Sequence, residues 1–169
     1  DFSAAAKGFA VDAIATILVQ LGHSSFLVEV GGELFAKGEK RLGQPWRVAI
    51  EMPSAATRAI YRAFPLIDSA IATSGDYRNY FEANGQRFSH TIDPRTGYPI
   101  THDTTSVTVL APTAMAADGW ATALNVLGPV AGMRLAEAQG LAVVMLVADG
   151  NELKALESQA FKDYLAQNL

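Results

Sequence analysis

Near the start of the chain, apolar residues return at helical spacing. Ala10, Ile14, Ile17, Leu18 and Leu21 share one helical face, with steps of three or four between turns. That period predicts an amphipathic helix running to about Leu21, with Ser3 as its N-cap and Gly22 just past its end. The period then shortens. SSFLVEVGGELFAKG reads as one strand or two, with Gly31-Gly32 marking a bulge or a place where another backbone or a ligand comes close. WRVAIEM predicts a further strand ended by Pro53, and FPLIDSAIATS continues the strand-rich part into Gly75. RFSHTI and TSVTVLA predict two more strands joined by a loop. Thr113 then caps a helix over AMAADGWATALNVLG, stopped by Gly128 and Pro129, and a shorter helix follows to Gly140. LAVVMLVAD is apolar throughout, as in a central strand. ELKAL follows the turn Asp149-Gly150-Asn151, and SQAFKDYLAQNL closes the chain as an amphipathic helix. Strands dominate the middle and helices the ends, without regular βαβ alternation. The expected fold is α+β, a mostly antiparallel sheet with flanking helices in one domain.

Composition narrows the function mainly by exclusion. The 169 residues are enough for a sizeable core, and 50% hydrophobic with 18% charged residues is ordinary for a globular domain. Net charge is −4 and no basic run occurs, which argues against a nucleic-acid surface. The absence of cysteine removes disulfides, thiolate catalysis and zinc–sulfur sites. No apolar stretch approaches the roughly 20 residues of a membrane helix. The chain opens on Asp1 with neither Met nor signal peptide, so any targeting segment lies outside it.

The residues that could carry chemistry lie in three places. Asp118 is the only charged residue of its helix, and Thr122 lies on the same face one turn on, among alanines and a glycine. Carboxylate plus hydroxyl suits Mg²⁺; alternatively Asp118 faces solvent near the helix N-terminus, where the dipole favours it. In DFSAAAKGF, Lys7 sits in the first turn of a helix, where free N–H groups attract phosphate, although a lysine there is also common in ordinary helices. In RFSHTIDP, alternation puts Phe88, His90 and Ile92 on one face and Ser89, Thr91 and Asp93 on the other. His90 between apolar neighbours reads as a core histidine or a base. Asp93-Pro94-Arg95-Thr96-Gly97 reads as a tight turn in which Asp93 and Arg95 pair, and His102 and Asp103 read as exposed.

Together these stretches resemble the ApbE family, the FAD:protein FMN transferases. The match runs through DFSAAAKGFAVD, FLVEVGGELFAKG, ATSGDYRNYFEANGQRFSHTIDPRTGYPI, SVTVLAPTAMAADGWATALNVLG and GLAVVMLV, from Asp1 to about Val147. The resemblance implies that residues 1–169 are the C-terminal portion of such a domain, with an N-terminal half absent. It implies Mg²⁺-dependent cleavage of FAD and transfer of FMN to a threonine hydroxyl of a client protein, with release of AMP. By position, Asp118, Thr122 and the main-chain carbonyl of Ala4 become Mg²⁺ ligands. Asp1, Lys7 and the backbone around Ile92 become FAD contacts, and His90 the catalytic histidine. Arg95 is expected to brace the loop, which Pro94, Gly97 and Pro99 stiffen. Many relatives carry an aspartate where this chain has Ala121. The client is expected in a membrane redox complex and the location in the bacterial periplasm, with a lipid anchor on the missing part. An FAD pyrophosphatase using water as acceptor, or a flavin-binding module without turnover, are the alternatives.

Overall fold

The structure, a computed structural model, describes residues 2–53, 59–75, 80–83, 86–150 and 152–168. The opening helix, α1, spans Ala6–Gln20 and ends as predicted at Gly22, whose φ is +85°. The His23 and Gly22 amides fold back onto the carbonyls of Leu18 and Val19, the Schellman closure that a glycine makes cheap. Its start differs from expectation. Ser3 is not the N-cap: residues 3–5 form a turn, and the cap position falls to Ala5, which makes no side-chain capping bond.

The strands are β1 (Phe26–Val30), β2 (Glu33–Lys37), β3 (Glu39–Arg41), β4 (Gln44–Glu51), β5 (Ile60–Leu66), β6 (Ser69–Gly75), β7 (Tyr80–Ala83), β8 (Gln86–Ser89), β9 (Ile92–Asp93), β10 (Tyr98–Pro99) and β11 (Thr104–Ala111). After helix α2 (Ala114–Ala138) come β12 (Ala142–Asp149), β13 (Glu152–Glu157) and helix α3 (Gln159–Asn168). Six strands form one antiparallel sheet in the order β1-β2-β6-β11-β12-β13, and β3-β4-β5 form a second. Gly31-Gly32 is thus a two-residue hairpin turn, with φ of +63° and +103°, a backbone that favours glycine at both positions. FPLIDSAIATS divides at Asp68, and its halves enter different sheets.

Alternation along the central strands explains the layers. Val107, Val109, Val143 and Met145 meet Ala121 and Leu124 of α2, while Ala70, Ala72 and Ala111 meet Val11 and Ala15 of α1. The intervening Ile71, Leu110, Val144 and Leu146 point to the other face, where β4, β5 and α3 supply Val48, Ile50, Phe64, Leu66 and Phe161. Because β12 is covered on both faces it is apolar at nearly every position. Thr113 caps α2 by accepting the Ala116 amide, and Gly128 (φ +76°, ψ 179°) before Pro129 interrupts the helix where the sequence predicts.

RFSHTI is not one strand. The chain bends at His90 between β8 and β9, and the polar face is the buried one: Ser89, Thr91 and Asp93 are inside, His90 and Ile92 outside. His90 is therefore not a core histidine. His102 also departs from expectation, being half-buried against Gly128, while Asp103 is exposed as predicted.

Candidate functional site

The two helices cross at backbone contact, and the site begins there. A Cβ on Gly8 would sit 2.3 Å from the Ala114 carbonyl oxygen, so only glycine fits. At that range each helix caps the other. The Asp12 carboxylate of α1 accepts the amides of Ala114 (2.8 Å) and Met115 (2.9 Å) in the first turn of α2. The Asp118 carboxylate of α2 accepts the Gly8 amide at 3.0 Å in the first turn of α1. Asp118 thus serves the helix start for which the sequence predicts Ser3.

Around Asp118 opens a cavity of about 650 Å³ between the start of α1, the middle of α2, the end of β6 and the segment from His90 to Pro94. Ala4, Lys7, His90, Ile92, Asp118 and Thr122 all line it, so every site residue expected from the sequence that the structure describes meets at one place. Asp1 lies outside the described residues. A shallower hollow of about 360 Å³ lies among Ala15, Val19, Phe35 and Pro112. Its carboxylate, Asp12, is already engaged with α2, whereas the larger cavity gathers the candidate residues.

Asp118 is 4% exposed, and burial pushes its carboxyl above the usual carboxylate range, against the pull of the Gly8 amide and the Lys7 charge. A buried carboxylate held above its ordinary value is stabilised by a cation. The donor set fits a hard one. Thr122 adds a hydroxyl, and the Ala4 carbonyl hangs over α2 where Gly119 keeps the helix surface bare: a Cβ there would lie 3.9 Å from the Ala4 oxygen. Among the described residues no group of three His, Asp or Glu side chains could hold a metal. A cation here would have one carboxylate and would complete its shell with neutral oxygens, water or ligand phosphate, which is the habit of Mg²⁺. Ala121 is buried among Val107, Val109 and Leu124 and contributes nothing to it.

Lys7 reaches the cavity over the β1–β2 turn, and its Nζ donates to Glu33 Oε1 at 2.6 Å. Sequence reasoning missed Glu33. A carboxylate after Gly-Gly looks like an exposed turn residue, yet it is 2% exposed. Burial raises its pKa, the Lys7 contact opposes that, and the charge of Asp118 adds to the rise. The glycine pair was the available signal, since it marked a close approach one residue away.

His90 stands on the exposed rim. The segment after it is braced as the sequence suggested: the Arg95 guanidinium makes a forked contact with Asp93, with Nη2 at 2.8 Å and Nε at 3.0 Å, and the Arg95 amide adds a bond at 2.9 Å. Arg95 holds the Asp93 carboxyl below its ordinary range. Ile92 and Pro99 pair across β9 and β10, which fixes the Ile92 backbone at the cavity edge. At the far wall, Thr73, Ser74 and Gly75 end β6, and Asn125 Nδ2 lies 3.4 Å from Ser74 Oγ.

The family model described as the ApbE family matches residues 1–145. A curated relative from Klebsiella pneumoniae, named FAD:protein FMN transferase, is 47% identical over 165 residues, 98% of this chain and 47% of the relative. One of the same name from Haemophilus influenzae is 48% identical over 163 residues, 96% of this chain and 47% of the relative. The chain therefore spans about half the length of the curated relatives it matches. Among solved structures, the Pseudomonas stutzeri flavinyl transferase ApbE in its apo form superposes with a TM-score of 0.87 at 44% identity, covering 100% of this chain and 52% of that one. Flavin transferase ApbE from Vibrio cholerae gives 0.86 at 46% identity, covering 96% and 52%.

Proposed function

The chain belongs to the ApbE family, and from that premise we propose that it takes FAD as substrate and transfers the FMN moiety to a threonine hydroxyl of a client protein, releasing AMP. The observation that carries the reading is the convergence of the buried Asp118 carboxylate, the Thr122 hydroxyl, the Ala4 carbonyl and the Lys7 ammonium on one cavity. Asp118, Thr122 and Ala4 would hold Mg²⁺, which when bound neutralises phosphate charge and stabilises the leaving oxyanion.

The chain's own residues do the rest. Lys7, in the first turn of α1, adds positive charge for the pyrophosphate, and the helix N-terminus adds to it. The backbone at Ile92 borders the flavin. His90 takes the proton of the acceptor threonine as its oxygen bonds the FMN phosphorus and the bond to AMP breaks. Its exposed position on the rim supports this role, since a client's side chain must reach it from outside. A client in a membrane redox complex and a periplasmic location belong to the same reading. The open rim also favours a second reading, in which water replaces the threonine and the products are FMN and AMP.

The test is in-gel flavin fluorescence of a client protein incubated with the intact enzyme, FAD and Mg²⁺. Asp118→Ala should lower transfer on the order of a hundredfold or more, because several kcal/mol of charge stabilisation go with the cation. Transfer surviving within a few-fold would refute the metal assignment. FMN release without any client distinguishes the hydrolytic reading.

A further inference from the structure

We propose that Glu33 is a positioning residue, holding the Lys7 ammonium at the cavity so that its remaining donors meet the phosphates of FAD; this rests on the FAD reading above. Three observations lead there. Lys7 is fixed at two points by the β1–β2 turn. Its stem crosses Gly31 so closely that a Cβ there would lie 2.9 Å from Lys7 Cδ, and its head ends on Glu33 Oε1 at 2.6 Å. One of three ammonium donors is used, leaving two for the cavity that Lys7 lines. Next, Glu33 is buried with Lys7 as its one side-chain partner among the described residues, helped only by its own backbone amide, and its Oε2 is left without a full hydrogen bond. A half-satisfied buried carboxylate is a poor device for stability, and an apolar residue would serve the fold as well. Its presence is accounted for by what it does to the lysine. Finally, a lysine stem is flexible, and ordering it beforehand removes an entropic cost from ligand binding.

The experiment is calorimetric titration of FAD with Mg²⁺ into the intact protein as wild type, Glu33→Gln, Lys7→Met and the double variant. Glu33→Gln should weaken FAD binding about tenfold, and that loss should vanish in the Lys7→Met background, the coupling expected of residues that act as a unit. Gly31→Ala, whose Cβ would crowd the lysine stem at 2.9 Å while meeting Glu33 Oε2 only at an ordinary 3.6 Å, should give a loss of the same kind. The Lys7→Met background, where that loss should be absent, separates it from strain in the φ +63° turn. Unchanged or tighter binding in Glu33→Gln overturns the inference, because the carboxylate then merely repels phosphate. So does a loss that persists in the Lys7→Met background, which would mark Glu33 as a structural residue only. If Glu33→Gln does not fold, Gly31→Ala decides: wild-type affinity there overturns the proposal. A wild-type protein that fails to bind FAD removes the functional reading and this inference together, whereas the other outcomes leave that reading intact.

Discussion

Replacing Gly8 by alanine sets two effects of opposite sign against each other. Gly8 lies inside α1, where alanine is the better helix former by about 1 kcal/mol, so local propensity predicts a more stable protein. The crossing with α2 predicts the reverse. The new Cβ would lie 2.3 Å from the Ala114 oxygen and 2.6 Å from the Met115 Cα, both backbone atoms without rotamers to yield. Restoring ordinary contact at 3.4 Å requires a shift of about 1.1 Å. Overpacking of this kind costs about 1–3 kcal/mol. The same shift stretches the 3.0 Å bond from the Gly8 amide to Asp118 beyond bonding range, and a buried carboxylate losing a donor adds about 1.5–3 kcal/mol. The crossing wins, and the net loss is about 3 kcal/mol. In urea that moves the midpoint down by about 1–2 M, and Mg²⁺-dependent FAD binding falls with it because Ala4 and Asp118 no longer face each other correctly. A midpoint unchanged or raised, with FAD binding intact, would show that the reciprocal capping does not organise the site.

Asp118→Asn keeps an acceptor for the Gly8 amide while removing the charge. Burial raises the Asp118 pKa, so the carboxyl favours folding below its unfolded value of about 4 and loses that advantage as pH rises through the higher folded value. The asparagine variant should therefore melt at or above wild type at pH 7, converge with it in acid, and bind no Mg²⁺; a clear drop in melting temperature at pH 7 would contradict the burial argument. The Asp93–Arg95 pair has the opposite sign. Arg95 lowers the Asp93 pKa, so the brace is present above about pH 4 and fails as pH drops through the lowered value. Arg95→Ala should speed exchange of the Thr96 and Gly97 amides, which bond the Asp93 carbonyl, without moving the global melt. Phe161→Ala removes a fully buried ring packed edge-on against Phe64 at 5.5 Å, and should cost about 3–5 kcal/mol. Because that contact lies on the face of the sheet away from α1 and α2, FAD affinity measured well below the melt should not change.

Sequence alone determined the features that are settled within a turn or two of chain. The helical period of α1 and its Gly22 end, the Thr113 cap, the break at Gly128-Pro129 and the two-sided burial of β12 each depend on local backbone preference and alternation. The pairing of Asp118 with Thr122 on one face, and of Asp93 with Arg95 in a tight turn, follow from spacings of four and two residues. Tertiary structure decided the rest. Nothing near Ser89 says which side of RFSHTI is buried, because alternation defines two faces and only the rest of the fold chooses between them. Glu33 is buried where Lys7 meets it over the turn from 26 residues away. Asp118 caps α1 from 110 residues away. That bond exists only where the helices cross, and they cross so closely because position 8 has no side chain. Local sequence supplies the carboxylates, and which amide, lysine or cation each one meets is set by how the helices pack.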